Sequence, residues 1–333
     1  MLRMNQTVPS FLLSGFQNIQ AVNTLLFVVI LCIYILTLVG NVLLIILVVK
    51  VPALRSPMYV LLSQLSLADI LMTTNITPNL LWLLLRGGGK VLVTDCLAQF
   101  FLFGVSTSIE CFLLTAMSYD RYLAICNPLR YSSIMDFRVC LNMSLWCWGL
   151  SFMVALVLDL LMSHLEFCGP FLLDHYFCDF SPVLKLSCSD IKVLELTDII
   201  FTIPVILLPF CFIIFTYVAI GLAILRISST EGRHKAFSTC SSHLIVVCTF
   251  YGTLITVYLV PSKDHTFNIN KTLSLLYTVA TPFLNPVIYS LRNKEIKVAL
   301  HKCMSSLFMR LFHSLHECTN NSSRLRKTLL RFS

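Results

Sequence analysis

Two carboxylates and one adjacent acid and base stand inside stretches that carry almost no other charge. Asp69 lies deep in one apolar run, Glu110 lies in the next, and Asp120-Arg121-Tyr122 closes that second run. A carboxylate in a bilayer is costly unless it is neutral, paired or bound to a cation, so each is a functional candidate by default. Facing one another, Asp69 and Glu110 would share a proton or hold a hard cation such as sodium through oxygen. A protonated Glu110 bonded to a neighbouring helix is the plainer alternative. At the end of the run, Arg121 cannot lose its charge, and Asp120 is the group beside it able to hold that charge as an ion pair. A held charge can be released, which a switch needs; an Arg merely snorkelling from a helix end is the competing reading. Enzyme chemistry finds no support. There is no His-Glu-x-x-His helix, no Gly-x-Ser-x-Gly elbow and no phosphate-binding glycine loop, so no catalytic residue is assigned.

Of the 14 cysteines, Cys96, Cys168, Cys178 and Cys188 are the ones placed to oxidise. Four cysteines allow three pairings, and their spacing does not choose among them. Cys168, His175 and Cys178 match no zinc spacing, and an oxidising compartment favours disulfides. The remaining cysteines read as packing residues.

The elements that would position these groups are membrane helices. Of 333 residues, 57% are hydrophobic and 12% charged, with a mean hydropathy of +0.84, far from the roughly 25% charge of a soluble domain. Apolar runs near 23–49, 58–85, 97–120, 139–163, 196–226, 236–260 and 271–291 give an all-α membrane protein with a seven-transmembrane helix bundle. With the N-terminus outside, only Arg3, Arg86, Lys90, Lys185, Lys192, Lys263 and Lys271 of the 24 Lys and Arg fall on the outer side. That bias satisfies the positive-inside rule and turns Asp120-Arg121 to the cytoplasm. The formal charge of +8 is therefore topology and anionic-lipid contact, and nucleic acid is not an expected partner. No cleaved signal peptide is expected, the first helix being its own insertion signal.

The chain divides into an extracellular arm (1–22), the bundle (23–291), an amphipathic membrane-surface helix (292–310) and a disordered cytoplasmic tail (311–333). Asn5 in Asn5-Gln6-Thr7 is the expected glycosylation site, while the sequons at Asn75 and Asn142 fall in or beside helices. Asn270 is outside but close to the membrane, and those at Asn320 and Asn321 stay bare. Gly40-Asn41 in the first helix combines close helix approach with a side chain that must find a partner. The segment 164–198 is long enough to form a lid over whatever the helices bind. In the seventh run Pro286 removes a backbone hydrogen bond, which predicts a kink with Asn285 positioned to compensate. Beyond it Ile296, Leu300, Cys303 and Leu307 share one face, the pattern of a helix lying on the inner leaflet with Cys303 open to palmitoylation.

Asp120-Arg121-Tyr122 resembles the Asp-Arg-Tyr element of rhodopsin-like G-protein-coupled receptors, where the Arg is restrained at rest and engages the G protein when the helices part. Four longer motifs narrow the resemblance: Pro57-Met58-Tyr59, Met117 to Tyr131, Lys235-Ala236-Phe237-Ser238-Thr239-Cys240-Ser241-Ser242-His243-Leu244, and Pro282 to Leu300. Together, in this order across nearly the whole chain, they look like a vertebrate olfactory receptor. Ser118 in place of the usual Ala, Leu62 in place of Phe and a longer tail depart from the pattern without touching a charge or a hinge.

The resemblance implies disulfides Cys96 to Cys178 and Cys168 to Cys188, and a sodium-type site at Asp69 and Glu110, with no other cofactor. It implies coupling through Asp120, Arg121 and Tyr122, with Tyr217, Asn285, Pro286 and Tyr289, to an olfactory stimulatory G protein that raises cyclic AMP. The implied localisation is the plasma membrane, in sensory-neuron cilia. The implied ligand pocket is in the outer half of the bundle, from Phe103, Gly104, Thr107, Ser108, Phe201, Thr202, Val205, Tyr251, Ile255, Tyr258 and Thr278. That set is largely apolar with a few hydroxyls and no counter-ion, which suits a small, volatile, uncharged, hydrophobic molecule. A receptor of the same fold for a non-odorant ligand is the nearest alternative. A transporter or channel would also carry intramembrane acids, but the chain shows no internal repeat, no paired broken helices and no row of pore-lining charge.

Overall fold

The computed structural model describes residues 10–16, 19–168, 171–259, 267–293, 295–303 and 305. Six of its helices are long and apolar enough to cross a bilayer. These are α1 (Gln20–Lys50), α2 (Pro57–Arg86), α3 (Val93–Cys126), α5 (Phe137–Ser163), α7 (Lys192–Leu225) and α8 (Thr230–Leu259), with short α4 (Pro128–Ile134) and α6 (Phe180–Leu184) between them. Local signals set their ends. Pro57 opens α2 where its missing N–H costs nothing, and Gly87 closes it in the left-handed conformation at φ 70°. The Asp136 carboxylate caps α5 by accepting the Val139 N–H at 2.7 Å. Leu25, Val28, Ile35, Leu36 and Val39 of α1 stay exposed, as a lipid-facing surface requires. The chain is a multi-pass membrane protein.

The seventh crossing is composite: α9 (Phe267–Leu275), a π turn (Leu276–Ala280) and α10 (Thr281–Arg292). Pro282 cannot continue the ordinary ladder, and Thr281 returns both its backbone N–H and its hydroxyl to the Leu276 carbonyl, the hydroxyl at 3.0 Å. The defect at Pro286 is repaired differently from the sequence expectation. Pro286 has no N–H to give the Pro282 carbonyl one turn earlier, and that carbonyl accepts Asn41 Nδ2 of α1 at 3.1 Å. Asn285 is engaged with Asp69 instead, because its side chain points across the bundle while the orphaned carbonyl faces α1. Gly40 makes the approach feasible, since a Cβ there would lie 3.2 Å from the Pro286 ring. Asn41→Ala strands that carbonyl in an apolar environment. It is expected to cost about 1–3 kcal/mol, read as a lower melting temperature in nanodiscs with the fold retained.

Past α10, Asn293 Oδ1 accepts the N–H groups of Glu295 at 2.9 Å and Ile296 at 3.3 Å and so caps a helix, α11, over 295–303. Ile296 and Ala299 are buried against the bundle, with Leu300 and Cys303 packed beside them, while Lys297, Val298, His301 and Lys302 face away. Leu307, Asn5, Asn320 and Asn321 lie outside the described residues.

At the opposite end a small sheet covers the bundle, invisible to periodicity because its strands are two to four residues long. β1 (Ser10–Leu13) pairs antiparallel with β2 (Gly89–Leu92) and parallel with β3 (Leu172–Leu173). Gly89 sits against the Trp82 ring, where there is no room for a Cβ. The cap is pinned by disulfides Cys96–Cys178 and Cys168–Cys188, the pairing that the resemblance implied. An ion pair between a buried lysine and a half-exposed aspartate closes it. Lys271 of α9, 3% exposed, bonds Asp174 Oδ1 at 2.5 Å and the Gly15 carbonyl at 3.1 Å. Ser14 Oγ donates to the same Asp174 oxygen at 2.6 Å.

Burial alone would raise Asp174, but its hydrogen bonds from Lys271 and Ser14 and the Lys271 charge hold it below the usual carboxylate range. Burial, helped by the Lys271 charge, holds His175 down to about 3 from 6.5. Its Nδ1 faces the Phe177 N–H as an acceptor at 3.4 Å, so the ring is neutral. Both shifts act in one direction. An unfolded His175 takes up a proton as pH falls below 6.5 and the folded one does not, so its contribution is full above that value and is lost toward 3. The Asp174 contribution is full above the ordinary carboxylate pKa and is lost as pH falls through its lowered value. The melting temperature is expected to be lower near pH ~5 than near pH ~7.5, with His175→Gln flattening the difference.

Candidate functional site

Beneath the cap lies a cavity of about 120 Å³. Helical spacing builds its walls. α3 contributes Phe100, Phe103, Gly104, Thr107 and Ser108, a stripe at i, i+3, i+4, i+7 and i+8, and α7 contributes Asp198, Thr202, Val205 and Ile206 on the same rule. Val154, Ala155 and Leu158 of α5 and Leu254 of α8 close the sides, and the loop supplies Asp179, Phe180 and Ser181 as a roof. Gly104 lets α3 approach α5, its virtual Cβ meeting Ala155 Cβ at 3.4 Å. Phe180 stacks on Phe100 with ring centroids 6.2 Å apart. The roof is held by the neighbouring disulfide and by Gln99, whose Oε1 accepts the Cys178 N–H at 2.9 Å. Gln99 and Asn75 also exchange bonds at 2.9 and 3.1 Å, which ties α2 to α3 and engages the half-buried sequon asparagine within the bundle.

Six residues of the ligand set inferred from sequence meet at this cavity: Phe103, Gly104, Thr107, Ser108, Thr202 and Val205. Phe201, Tyr251, Ile255 and Thr278 are not among its described lining. Tyr251 is fully buried, donates to the Cys111 carbonyl at 3.3 Å and packs tilted against the Phe210 ring with centroids 5.0 Å apart. Ile255 packs against the core. The Thr278 hydroxyl donates to the Ser274 carbonyl at 2.7 Å and meets the Tyr176 hydroxyl at 3.0 Å, so it fastens the loop to the π turn. Tyr258 stands on α8, and its side chain lies outside the described residues. Two residues that sequence reading left out of the set are the acids Asp179 and Asp198. The signal was available for the second, because Asp198, Thr202 and Val205 share one helix face.

Midway down the bundle, Asp69 is fully buried and its two oxygens lie 3.0 and 3.1 Å from Asn285 Nδ2. Glu110 is buried as well, near enough for its charge to act on Asp69. Glu110 Oε1, Asn285 Oδ1 and Tyr289 Oη are buried without a hydrogen-bond partner. Such oxygens around a carboxylate suit a hard cation.

The far end departs from the expected Asp120 and Arg121 ion pair. Asp120, 1% exposed, accepts the Tyr131 hydroxyl at 2.8 Å. The Lys271 ion pair with Asp174 stands at the opposite end of the bundle. Neighbours on a helix do not face each other, so Asp120 turns to α4 while Arg121 turns into the bundle. There the Arg121 charge acts on Tyr59, Tyr217, Cys240, His243 and Tyr289 as well as on Asp120 and Tyr131, and its Nε is buried without an acceptor. Tyr122 stacks on Tyr119 at 6.5 Å. His243 ties three helices together. Its Nε2 meets the Leu114 carbonyl of α3 at 3.1 Å and so carries the proton, and its Nδ1 takes the Tyr217 hydroxyl of α7 at 2.7 Å. Tyr59 fastens α11, its hydroxyl 2.7 Å from Glu295 Oε2 and 3.0 Å from Asn293 Oδ1.

Residues 30–307 match the sequence profile described as olfactory receptor. The chain belongs to the olfactory receptor family. Among its human relatives, olfactory receptor 11L1 is 46% identical over 300 residues, covering 90% of this chain and 92% of the relative. Human olfactory receptor 11A1 is 43% identical over 300 residues, covering 90% and 95%. Mouse olfactory receptor 6Z7 is 42% identical over 297 residues, covering 89% and 95%. In this olfactory receptor the cavity and the Arg121 end lie at opposite ends of the same helices, α3 and α7. A displacement at one end therefore has a direct mechanical route to the other.

Proposed function

We propose that this olfactory receptor detects a small, volatile hydrophobic molecule in the cavity under the cap and answers by activating an olfactory stimulatory G protein, which raises cyclic AMP. The observation that carries the reading is that largely apolar cavity, roofed by a disulfide-tied loop at the end of the bundle away from Arg121. The N-terminus and cap would be extracellular in the plasma membrane, in sensory-neuron cilia, with Asn5 glycosylated and the Arg121 end in the cytoplasm. Ligand contact on α3 and α7 would shift the helices that His243 and Tyr217 join, freeing Arg121 with Tyr122 for the G protein. Pro286, Asn285 and Tyr289 would supply the mobile end of the seventh span. Asp69 and Glu110 would hold a sodium ion at rest, completed by the unpartnered Asn285 and Tyr289 oxygens. The test is cyclic AMP in cells expressing the full chain with the stimulatory olfactory G protein and challenged with a broad odorant panel. A concentration-dependent rise is expected. An ion current without cyclic AMP, or silence despite surface expression, counts against the reading.

A further inference from the structure

Asp198 and Asp179 both line an otherwise apolar cavity whose described lining contains no Lys, Arg or His. Asp179 is 6% exposed, and one of its oxygens accepts the Phe180 N–H at 2.8 Å at the start of α6. On Asp198, Oδ1 accepts the Thr202 hydroxyl at 2.6 Å, and Oδ2 has no donor among the described residues. Asp198 in such surroundings needs a proton or a positive partner. A second observation points to a ligand. Ser108, 7% exposed and lining the cavity, makes no hydrogen bond among the described residues. Thr107 Oγ1, in the same wall, is buried without a partner.

We infer that the cavity selects a small organic amine, held as its ammonium by Asp198, with Ser108 and Thr107 accepting its remaining N–H groups and the Phe100 and Phe103 wall taking its hydrocarbon body. The inference rests on the ligand-binding reading above and names the ligand class. It replaces the uncharged molecule expected from sequence, which followed from a residue set that lacked both acids. An ammonium supplies donors and charge where Asp198 offers an acceptor and negative charge and the Ser108 and Thr107 hydroxyls can accept. A carboxylic acid would face the like charge of Asp198, and an alcohol would leave that charge unmatched.

The test uses the full-length receptor in cells with the stimulatory olfactory G protein. The probes are a panel of small amines, each paired with the alcohol and the carboxylic acid of the same skeleton, such as isoamylamine, isoamyl alcohol and isovaleric acid. The amines are expected to act at lower concentration than their alcohols, with the acids inert. Asp198→Asn is expected to raise the amine half-maximal concentration at least about tenfold, the loss of one charge-assisted hydrogen bond, while shifting neutral ligands far less. Surface labelling and any neutral agonist's response report that the variant folds. Amines no better than their isosteres, or an amine response untouched by Asp198→Asn, would overturn the inference. Silence toward every amine also overturns it, and the neutral compounds then decide whether the receptor reading stands.

Discussion

Arg121→Ala is expected to reduce ligand-stimulated cyclic AMP to background while the receptor still reaches the cell surface. Both halves of that expectation come from the geometry. Signalling is lost because Arg121 is the cation turned into the cleft among Tyr59, Tyr217, His243 and Tyr289, the place a coupling partner would open. Folding survives because Asp120 keeps its hydrogen bond from Tyr131 at 2.8 Å when the nearby Arg121 charge is removed. An Arg locked to Asp120 would behave differently, since removing it would leave a buried carboxylate without a partner, at a cost of several kcal/mol. Measuring surface expression and cyclic AMP on the same cells separates the two. Tyr131→Phe makes the complementary probe, because it unties Asp120 and leaves Arg121 in place. It is expected to lower stability more than Arg121→Ala does.

Cys178→Ser is expected to be the most damaging single change at the opposite end. The Cys96–Cys178 bridge closes a separation of 82 residues, against 20 for Cys168–Cys188. Chain-entropy arithmetic gives about 4–5 kcal/mol for the first and about 3 for the second, both upper values because the denatured receptor retains structure. The position adds to the length. Cys178 lies between Phe177, which packs on Phe103 with ring centroids 5.2 Å apart, and the Asp179 to Ser181 roof of the cavity. Cys178→Ser should therefore lose both surface expression and ligand response, whereas Cys168→Ser should keep part of each. Equal effects from the two would show that the bridges act only locally.

Most of the architecture was legible because bilayer physics writes it in large letters. Runs of some twenty apolar residues have one reading, and the Pro57, Asp120-Arg121-Tyr122 and Asn285-Pro286 motifs fix their order. What stayed hidden depends on direction across the bundle. Adjacency in sequence suggested that Asp120 holds Arg121, but successive residues on a helix diverge, and Tyr131 takes the acid. Asn285 stands beside Pro286 in sequence, yet the carbonyl that Pro286 orphans points at Asn41, far away along the chain. Asp198 escaped attention because one acid near a helix end reads as an interfacial residue; only the packing of α7 against α3 turns it into a cavity wall. The sheet and the π turn are too short for any period to register, and both are created by contacts among distant segments.

The central claim is that ligand binding under the cap changes the Arg121 end enough to engage a G protein. Its most direct measurement is guanine-nucleotide exchange on the purified stimulatory olfactory G protein, mixed with the full-length receptor in nanodiscs, with and without an agonist from the amine panel. Exchange is expected to accelerate with agonist on the wild-type receptor and to stay at the basal rate on Arg121→Ala. Agonist binding to a folded receptor with no change in exchange, or equal acceleration by Arg121→Ala, would contradict it.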